Sequence, residues 1–287
     1  MFGTMSAKMV WFMAKRWRHF PCRGRMLDWV RRSGHVALSG GVVRVLTDTG
    51  VTMDVDPADE HGWLLLRDGG MKPCFTRVFQ ALLRKGDSVI DVGANHGYFT
   101  LLSASLVTHS GHVYAFEPDP RVARLLLENT RANNFPNVTL HHAAASNAPG
   151  TMEFRVPATA SPGHPRAAGP LAQVPVVTID SLKDEMPRVR VVKIDASGSE
   201  LLVLEGMKEL LRSDRPFVVL DVTDERIRKV HGDSEQVFVL LHSLGYATHG
   251  ITAAGAHPLD HAPHEPTFCL LGAPPGTHLP DMRETKT

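Results

Sequence analysis

Four charged side chains stand where an α/β chain can put charge to use: Asp91, Glu117, Lys193 and Asp195. Asp91 interrupts the apolar run 88–92 and is followed by Gly93 and Gly97. Glu117 closes the run 112–117, and Lys193 and Asp195 close the run 189–195. Short apolar runs of this kind read as buried parallel strands. Open α/β sheets bind ligands at the carboxyl ends of such strands. The glycine turn leads into a second apolar run, Tyr98 to Val107, so strand, turn and helix start can present backbone N–H groups to a ligand. Asp91 would repel a phosphate there and attract a cation. Glu117 can accept both hydroxyls of a ribose. Period-two alternation puts Lys193 and Asp195 on one face, where an unpaired charge would be costly. They read either as an internal ion pair or as the charged floor of an acceptor cleft.

The elements that must position these residues alternate as in a doubly wound sheet. Strand 88–92 is followed by helix 96–107 and strand 112–117. Asp119-Pro120 then supplies an N-cap and a first-turn proline for a helix reaching about Asn133. Further strands are expected at 138–142, 150–156, 174–179, 189–195, 216–222, 246–251 and 267–271, with helices at 199–211 and 234–244. Upstream, 42–46 and 51–55 flank the turn Thr47-Asp48-Thr49-Gly50 and form a hairpin. Phe75 to Leu83 has helical spacing, with Gly86 as its C-cap. The expected fold is α/β and Rossmann-like, a mostly parallel seven-stranded sheet with helices on both faces. The expected division is a basic helical and hairpin extension over 1–70, a cofactor-binding domain over 71–272 and a flexible tail over 273–287. Residues 157–172, rich in Pro, Gly and Ala, read as a surface loop that either governs acceptor choice or is a tolerated insertion.

Composition narrows the partners. A net charge of +1 and 43% hydrophobic residues describe an ordinary globular protein with no call for nucleic acid. Cys22, Cys74 and Cys269 are scattered and suit reduced thiols in a cytoplasmic protein. No run approaches the roughly 20 apolar residues of a membrane span. Val10, Met13, Trp17 and Phe20 share one face of a helix over 9–20, which packs on its own domain or on a partner subunit in a homo-oligomer, or touches a membrane surface.

A nicotinamide-binding turn would carry G-x-G-x-x-G; here three residues separate Gly93 from Gly97, with Asn95 at the intervening position. A ligand with a ribose, a positive charge and no phosphate fits, and S-adenosylmethionine is such a ligand. The stretches DSVIDVGANHGYFTLL at 87–102, VYAFEPDP at 113–120, LHHAAASN at 140–147 and VVKIDASGSELLVLEGM at 191–207 together resemble the FkbM-type branch of the class I S-adenosylmethionine-dependent methyltransferases. The resemblance implies methyl transfer to an oxygen, usually a hydroxyl of a sugar, glycan or other natural-product-like small molecule. It places Asp91, Gly93, Asn95, Gly97 and Glu117 against the cofactor and Ala143 near its adenine. Ser197 stands where the family commonly has Glu, and His96 where an apolar residue is usual.

For chemistry, Asp195 is the first candidate to take the acceptor's proton, with Lys193 orienting the acceptor or adjusting Asp195; His96 and His142 are alternatives. Ser197 and Glu200 have the spacing of a capping box. His257, His261 and His264 are interrupted by prolines and read as a solvated loop, so no metal site is expected. Two other readings stay open: a binding protein of the same fold without turnover, motivated by Ser197, and a nicotinamide oxidoreductase, disfavoured by Asp91.

Overall fold

The computed structural model describes residues 5–6, 25, 28, 36–37, 41–156 and 169–282. The helix expected over 9–20 and most of the 157–172 loop lie outside these residues. From residue 41 on, the elements in chain order are β1 (Val43–Leu46), β2 (Thr52–Val55), α1 (Glu60–Asp68), α2 (Pro73–Leu82), β3 (Ser88–Val92), α3 (Tyr98–Val107), β4 (His112–Phe116), α4 (Pro120–Ala132) and β5 (Val138–His141). There follow β6 (Ala144–Ala145), β7 (Gly150–Arg155), β8 (Leu171–Val177), a 3₁₀ turn (Asp180–Glu185), β9 (Val189–Ile194), α5 (Glu200–Glu205), α6 (Lys208–Ser213) and β10 (Phe217–Thr223). The chain ends with α7 (Asp224–Val230), α8 (Ser234–Ser243), β11 (Ala247–Thr252), β12 (Gly255–Pro258) and β13 (Thr267–Ala273).

The central sheet has eight strands in the order β12-β11-β13-β10-β9-β3-β4-β5. That is one more than the seven expected; the addition, β12, is a short edge strand folded back on β11. Strands β5, β4, β3, β9 and β10 are mutually parallel. β13 is antiparallel to both β10 and β11, so β11 points along β10 and the sheet is mostly parallel. From β3 the chain moves outward to β4 and β5, then crosses to β9 and β10 on the other side. The switch in direction falls beside β3, where the carboxyl ends of β3, β4 and β9 leave a crevice.

Alternation along the strands divides the core in two. Val89, Val113, Val191, Phe217 and Val219 face α2, α3 and the β1–β2 hairpin. Ile90, Val92, Phe116, Val192, Ile194 and Leu220 face α5, α6 and α8. Hairpin residues Val43, Val45 and Met53 and the α1 residues Trp63 and Leu65 share the first core with Phe75 and Phe99. The segment 41–70 therefore packs as one body with the sheet. The chain beyond 273 differs from the flexible tail expected: Met282 is 3% exposed and buried in the same core. Met282, with Leu279 packed against the same core, outweighs the polar, proline-rich composition around it. No helix among the described residues is long and apolar enough to cross a membrane.

Candidate active site

The crevice beside β3 opens into a cleft of about 620 Å³, within the ~300–1,000 Å³ usual for small-molecule sites. Gly93, Ala94 and Asn95 line it from the end of β3, Glu117 and Asp119 from the end of β4, and Asp195 to Ser197 from the end of β9. Ala143 and the β7 side chains Met152 and Phe154 add an apolar wall.

The glycine turn is built by close approach. Gly93 has φ +72°, and a Cβ on it would lie 2.0 Å from the Asp195 carbonyl oxygen. Only glycine lets the two strand ends meet. Gly97, φ +95°, caps α3, and a Cβ there would press on Leu126 of α4. The amides between them face inward. Gly93 and Ala94 both donate to the Phe116 carbonyl, Asn95 to Glu117 Oε2, His96 to Asn95 Oδ1, and Gly97 to the Ala94 carbonyl. The expectation that strand, turn and helix start present N–H groups to a ligand is therefore corrected for the turn: all five amides from Gly93 to Gly97 are spent within it or on the end of β4. A phosphate would find none of them free.

Glu117 is 6% exposed. Oε2 accepts from the Asn95 amide and Oε1 from the Asp119 amide, each at 2.8 Å. A carboxylate oxygen has two acceptor positions, so each oxygen keeps one for a ligand hydroxyl. Burial pushes the carboxyl up to about 7, against the two amides and Lys193, which favour the charge.

Asp91 is fully buried and does not line the cleft. Lys193 is its register partner on the adjacent parallel strand. The ammonium donates to Asp91 Oδ1 at 2.7 Å and to the carbonyls of Val92 and Gly93 at 3.2 and 3.0 Å; Thr100 donates to Asp91 Oδ2 at 2.7 Å. The cation that Asp91 attracts is thus a lysine of the chain itself. All three N–H bonds of Lys193 hold the β3 end, and orienting an acceptor would cost it one of them.

Asp195 has a different partner. It lies one step beyond the paired residues Ile194 and Leu220, next to Asp221 of β10, so two carboxylates stand side by side at the strand ends. Lys72, the N-cap of α2, bridges them, 2.6 Å from Asp195 Oδ2 and 2.8 Å from Asp221 Oδ2. Burial alone would raise Asp195, but Lys193 and Lys72 outweigh it and hold the carboxyl below the ordinary range. Burial likewise opposes the Lys72 charge, and the two carboxylates keep it above the usual lysine value. Lys72 adopts a left-handed backbone, φ 41°, a strained conformation for a side-chain-bearing residue.

Asp59, the N-cap of α1, and His61 in its first turn also reach the cleft. His61 Nδ1 lies 3.6 Å from Asp59 Oδ1 and 3.4 Å from Asn95 Nδ2. Sequence reasoning missed Lys72, Asp59, His61 and Asp221. The signal for Asp221 was present: like Asp91, it is a carboxylate inside an apolar run, Phe217 to Val222. Of the two histidines proposed as alternatives, His96 lines the cleft and His142 does not. His96 is 2% exposed, with Nδ1 against Asn95 Oδ1, and burial lowers its pKa. His142 Nε2 donates to the Pro118 carbonyl and does not line the cleft.

The capping box expected at Ser197 and Glu200 does not form. Ser197 and Gly198 have φ +53° and +110°, which kinks the loop and moves the N-cap to Ser199, without a side-chain bond. Glu200 Oε1 instead accepts from the Ala196 and Gly198 amides at 3.0 and 3.1 Å. A buried carboxylate thus still organises this loop. Among the described residues no His, Cys, Asp and Glu grouping could hold a metal ion.

Comparison with known proteins places this architecture. The Methyltransferase FkbM domain matches residues 91–247. The chain belongs to this family. A hexuronic acid methyltransferase, AglP of Haloferax volcanii, is 30% identical over 139 residues, covering 47% of this chain and 56% of that protein. A protein-L-isoaspartate O-methyltransferase of Ignicoccus hospitalis is 42% identical over 60 residues, 21% of this chain and 28% of that protein. The chain thus spans about half the length, or less, of these relatives. The crystal structure of an FkbM methyltransferase from Methylobacillus flagellatus superposes with a TM-score of 0.46 at 16% identity, covering 77% of this chain and 56% of that one.

Proposed function

We propose that this FkbM-family protein is an S-adenosylmethionine-dependent O-methyltransferase acting on a hydroxyl of a sugar, glycan or other small-molecule acceptor. The observation that carries the reading is the pairing of a turn with no amide left for phosphate and a buried carboxylate with two acceptor positions open to a diol. A nucleoside without phosphate satisfies both, whereas a nicotinamide dinucleotide satisfies only the second. Glu117 would hold the ribose hydroxyls, Ala143 would pack near the adenine, and Asn95 and the Gly93 turn would face the remainder.

When bound, the cofactor supplies an electrophilic methyl group on a sulfonium. The chain's residues orient the acceptor and remove its proton. Lys72 occupies Asp195 Oδ2, so Oδ1 is the oxygen that would accept from the acceptor hydroxyl and take its proton. Lys193, which also lines the cleft, fixes the β3 end against β9 through Asp91. Lys193 and Lys72 both hold Asp195 charged, Lys193 through its nearby charge and Lys72 by direct contact. In-line displacement needs little beyond this alignment.

The hexuronic acid substrate named for AglP supports a sugar acceptor. Arg226 of α7 lines the cleft and makes no ion pair among the described residues, so an acidic sugar would meet a cation there.

Calorimetry with S-adenosylhomocysteine, followed by transfer of labelled methyl to a panel of uronic acids and neutral glycosides, tests the reading. Binding that Glu117→Ala abolishes, with turnover that Asp195→Asn lowers about 10²-fold or more, is the expected result. Failure of the wild type to bind the cofactor would sink the proposal. Binding without transfer to any acceptor would favour a non-catalytic member of the fold instead.

A further inference from the structure

Cys74 and Cys269, 195 positions apart in sequence, meet beside the Lys72 bridge with their sulfurs 2.8 Å apart. Cys74 sits in the first turn of α2, two residues from Lys72. Cys269 lies on β13, directly opposite Asp221 of β10. Both are free thiols, half-buried and open to a small reagent. Neither takes part in the chemistry proposed above, and both pack against the edge of the first core while keeping part of their surface exposed. Tertiary folding has placed two reactive groups in contact at the junction of a helix start and a strand.

We propose that Cys74 and Cys269 are a redox modification site, oxidised reversibly to a disulfide by a low-molecular-weight disulfide such as oxidised glutathione. The Cys74 thiolate attacks one sulfur of the small disulfide, forming a mixed disulfide and releasing one small thiolate. Cys269 then loses its proton to solvent and attacks the Cys74 sulfur, and the second small thiol departs. Two protein thiols are oxidised, one small disulfide is reduced to two thiols, and the electrons balance. The order of attack follows from the environment. A hydrogen bond from Cys269 draws the Cys74 thiol down to about 7 against the effect of burial, with the Phe75 amide and Arg77 adding to it. The same bond and burial push Cys269 up. Cys74 is therefore the nucleophile and Cys269 the resolving thiol.

The cross-link would tie α2 to β13 at the two ends of the Lys72–Asp221 ion pair, fixing Lys72 over the strand ends. It stands whether or not the methyltransferase reading does. In the test, wild-type protein is incubated in graded mixtures of reduced and oxidised glutathione, quenched by acid, alkylated and mapped by mass spectrometry. One Cys74–Cys269 peptide pair, lost on treatment with dithiothreitol, is expected. A Cys22→Ser variant should give the same pair. Closing a loop of this length should also raise Tm by about 5 °C or more. Thiols that stay fully alkylatable in oxidised glutathione, stable glutathione adducts without the internal link, or pairing through Cys22 would each overturn the proposal.

Discussion

At the scale of single residues the decisive group is Glu117, because its protonation lies within the working pH range. Its carboxyl is pushed up to about 7, chiefly by burial, so the folded protein holds this proton well above the ordinary carboxylate range. At pH 8 most molecules carry the charge, while at pH 6 only about one in ten do. A ribose diol donates two hydrogen bonds and prefers the charged form. Affinity for S-adenosylhomocysteine should therefore fall about tenfold between pH 8 and pH 6, and calorimetry at the two values reads it directly. The same shift acts on stability with the opposite preference. A raised carboxyl binds protons more tightly folded than unfolded, so its contribution to folding is fully present below its ordinary value of 4.5 and is lost as pH rises from there to about 7. A Glu117→Ala protein should lose the pH dependence of binding together with the binding. Asp195 runs the other way: held below the ordinary range by Lys193 and Lys72, it stays charged throughout and contributes no step near neutrality.

Among the elements, the β3–β9 pair sets both stability and shape. Lys193 and Asp91 form an ion pair with side chains 2% and 0% exposed. Removing one partner of such a pair leaves a buried charge alone and costs about 3–5 kcal/mol. Lys193→Met should lose that much in urea unfolding, because Asp91 is orphaned, whereas exposed Arg124→Met on α4 should change little. Gly93→Ala should act through backbone, since its Cβ would collide with the Asp195 carbonyl at a left-handed φ that alone costs about 1–3 kcal/mol. These pairings also mark what a sequence can disclose. The parallel strands, the Asp119-Pro120 helix start and the hairpin at 43–55 depend on neighbours in the chain and were all legible. That Lys193 and Asp195 share a face was legible too. Which carboxylate Lys193 meets was not, because that depends on strand register. Lys72, Asp59 and His61 were hidden for the same reason, reaching the cleft only once α1 and α2 dock against the sheet.

Taken whole, the molecule divides the cleft between two sources. The ends of β3 and β4 supply Asn95 and Glu117, which belong to the proposed cofactor half. Met152 and Phe154 come from β7, which pairs with β8, itself paired with β6, in a separate three-stranded sheet, and Arg226 comes from α7. Such a wall can vary without disturbing the sheet that holds Glu117 and Asp195, because Met152 and Phe154 lie on none of that sheet's strands. Acceptor choice should therefore separate from cofactor binding on mutation. Met152→Ala with Phe154→Ala removes apolar surface from the wall, and should raise KM for the acceptor about tenfold while S-adenosylhomocysteine affinity stays within about twofold. Arg226→Ala should discriminate further, raising KM for a uronic acid acceptor and leaving a neutral glycoside nearly unchanged, since only the acid loses a charge partner. If both substitutions weakened cofactor binding as much as acceptor binding, the two halves would be one site, and the wall would have to be reassigned to the cofactor.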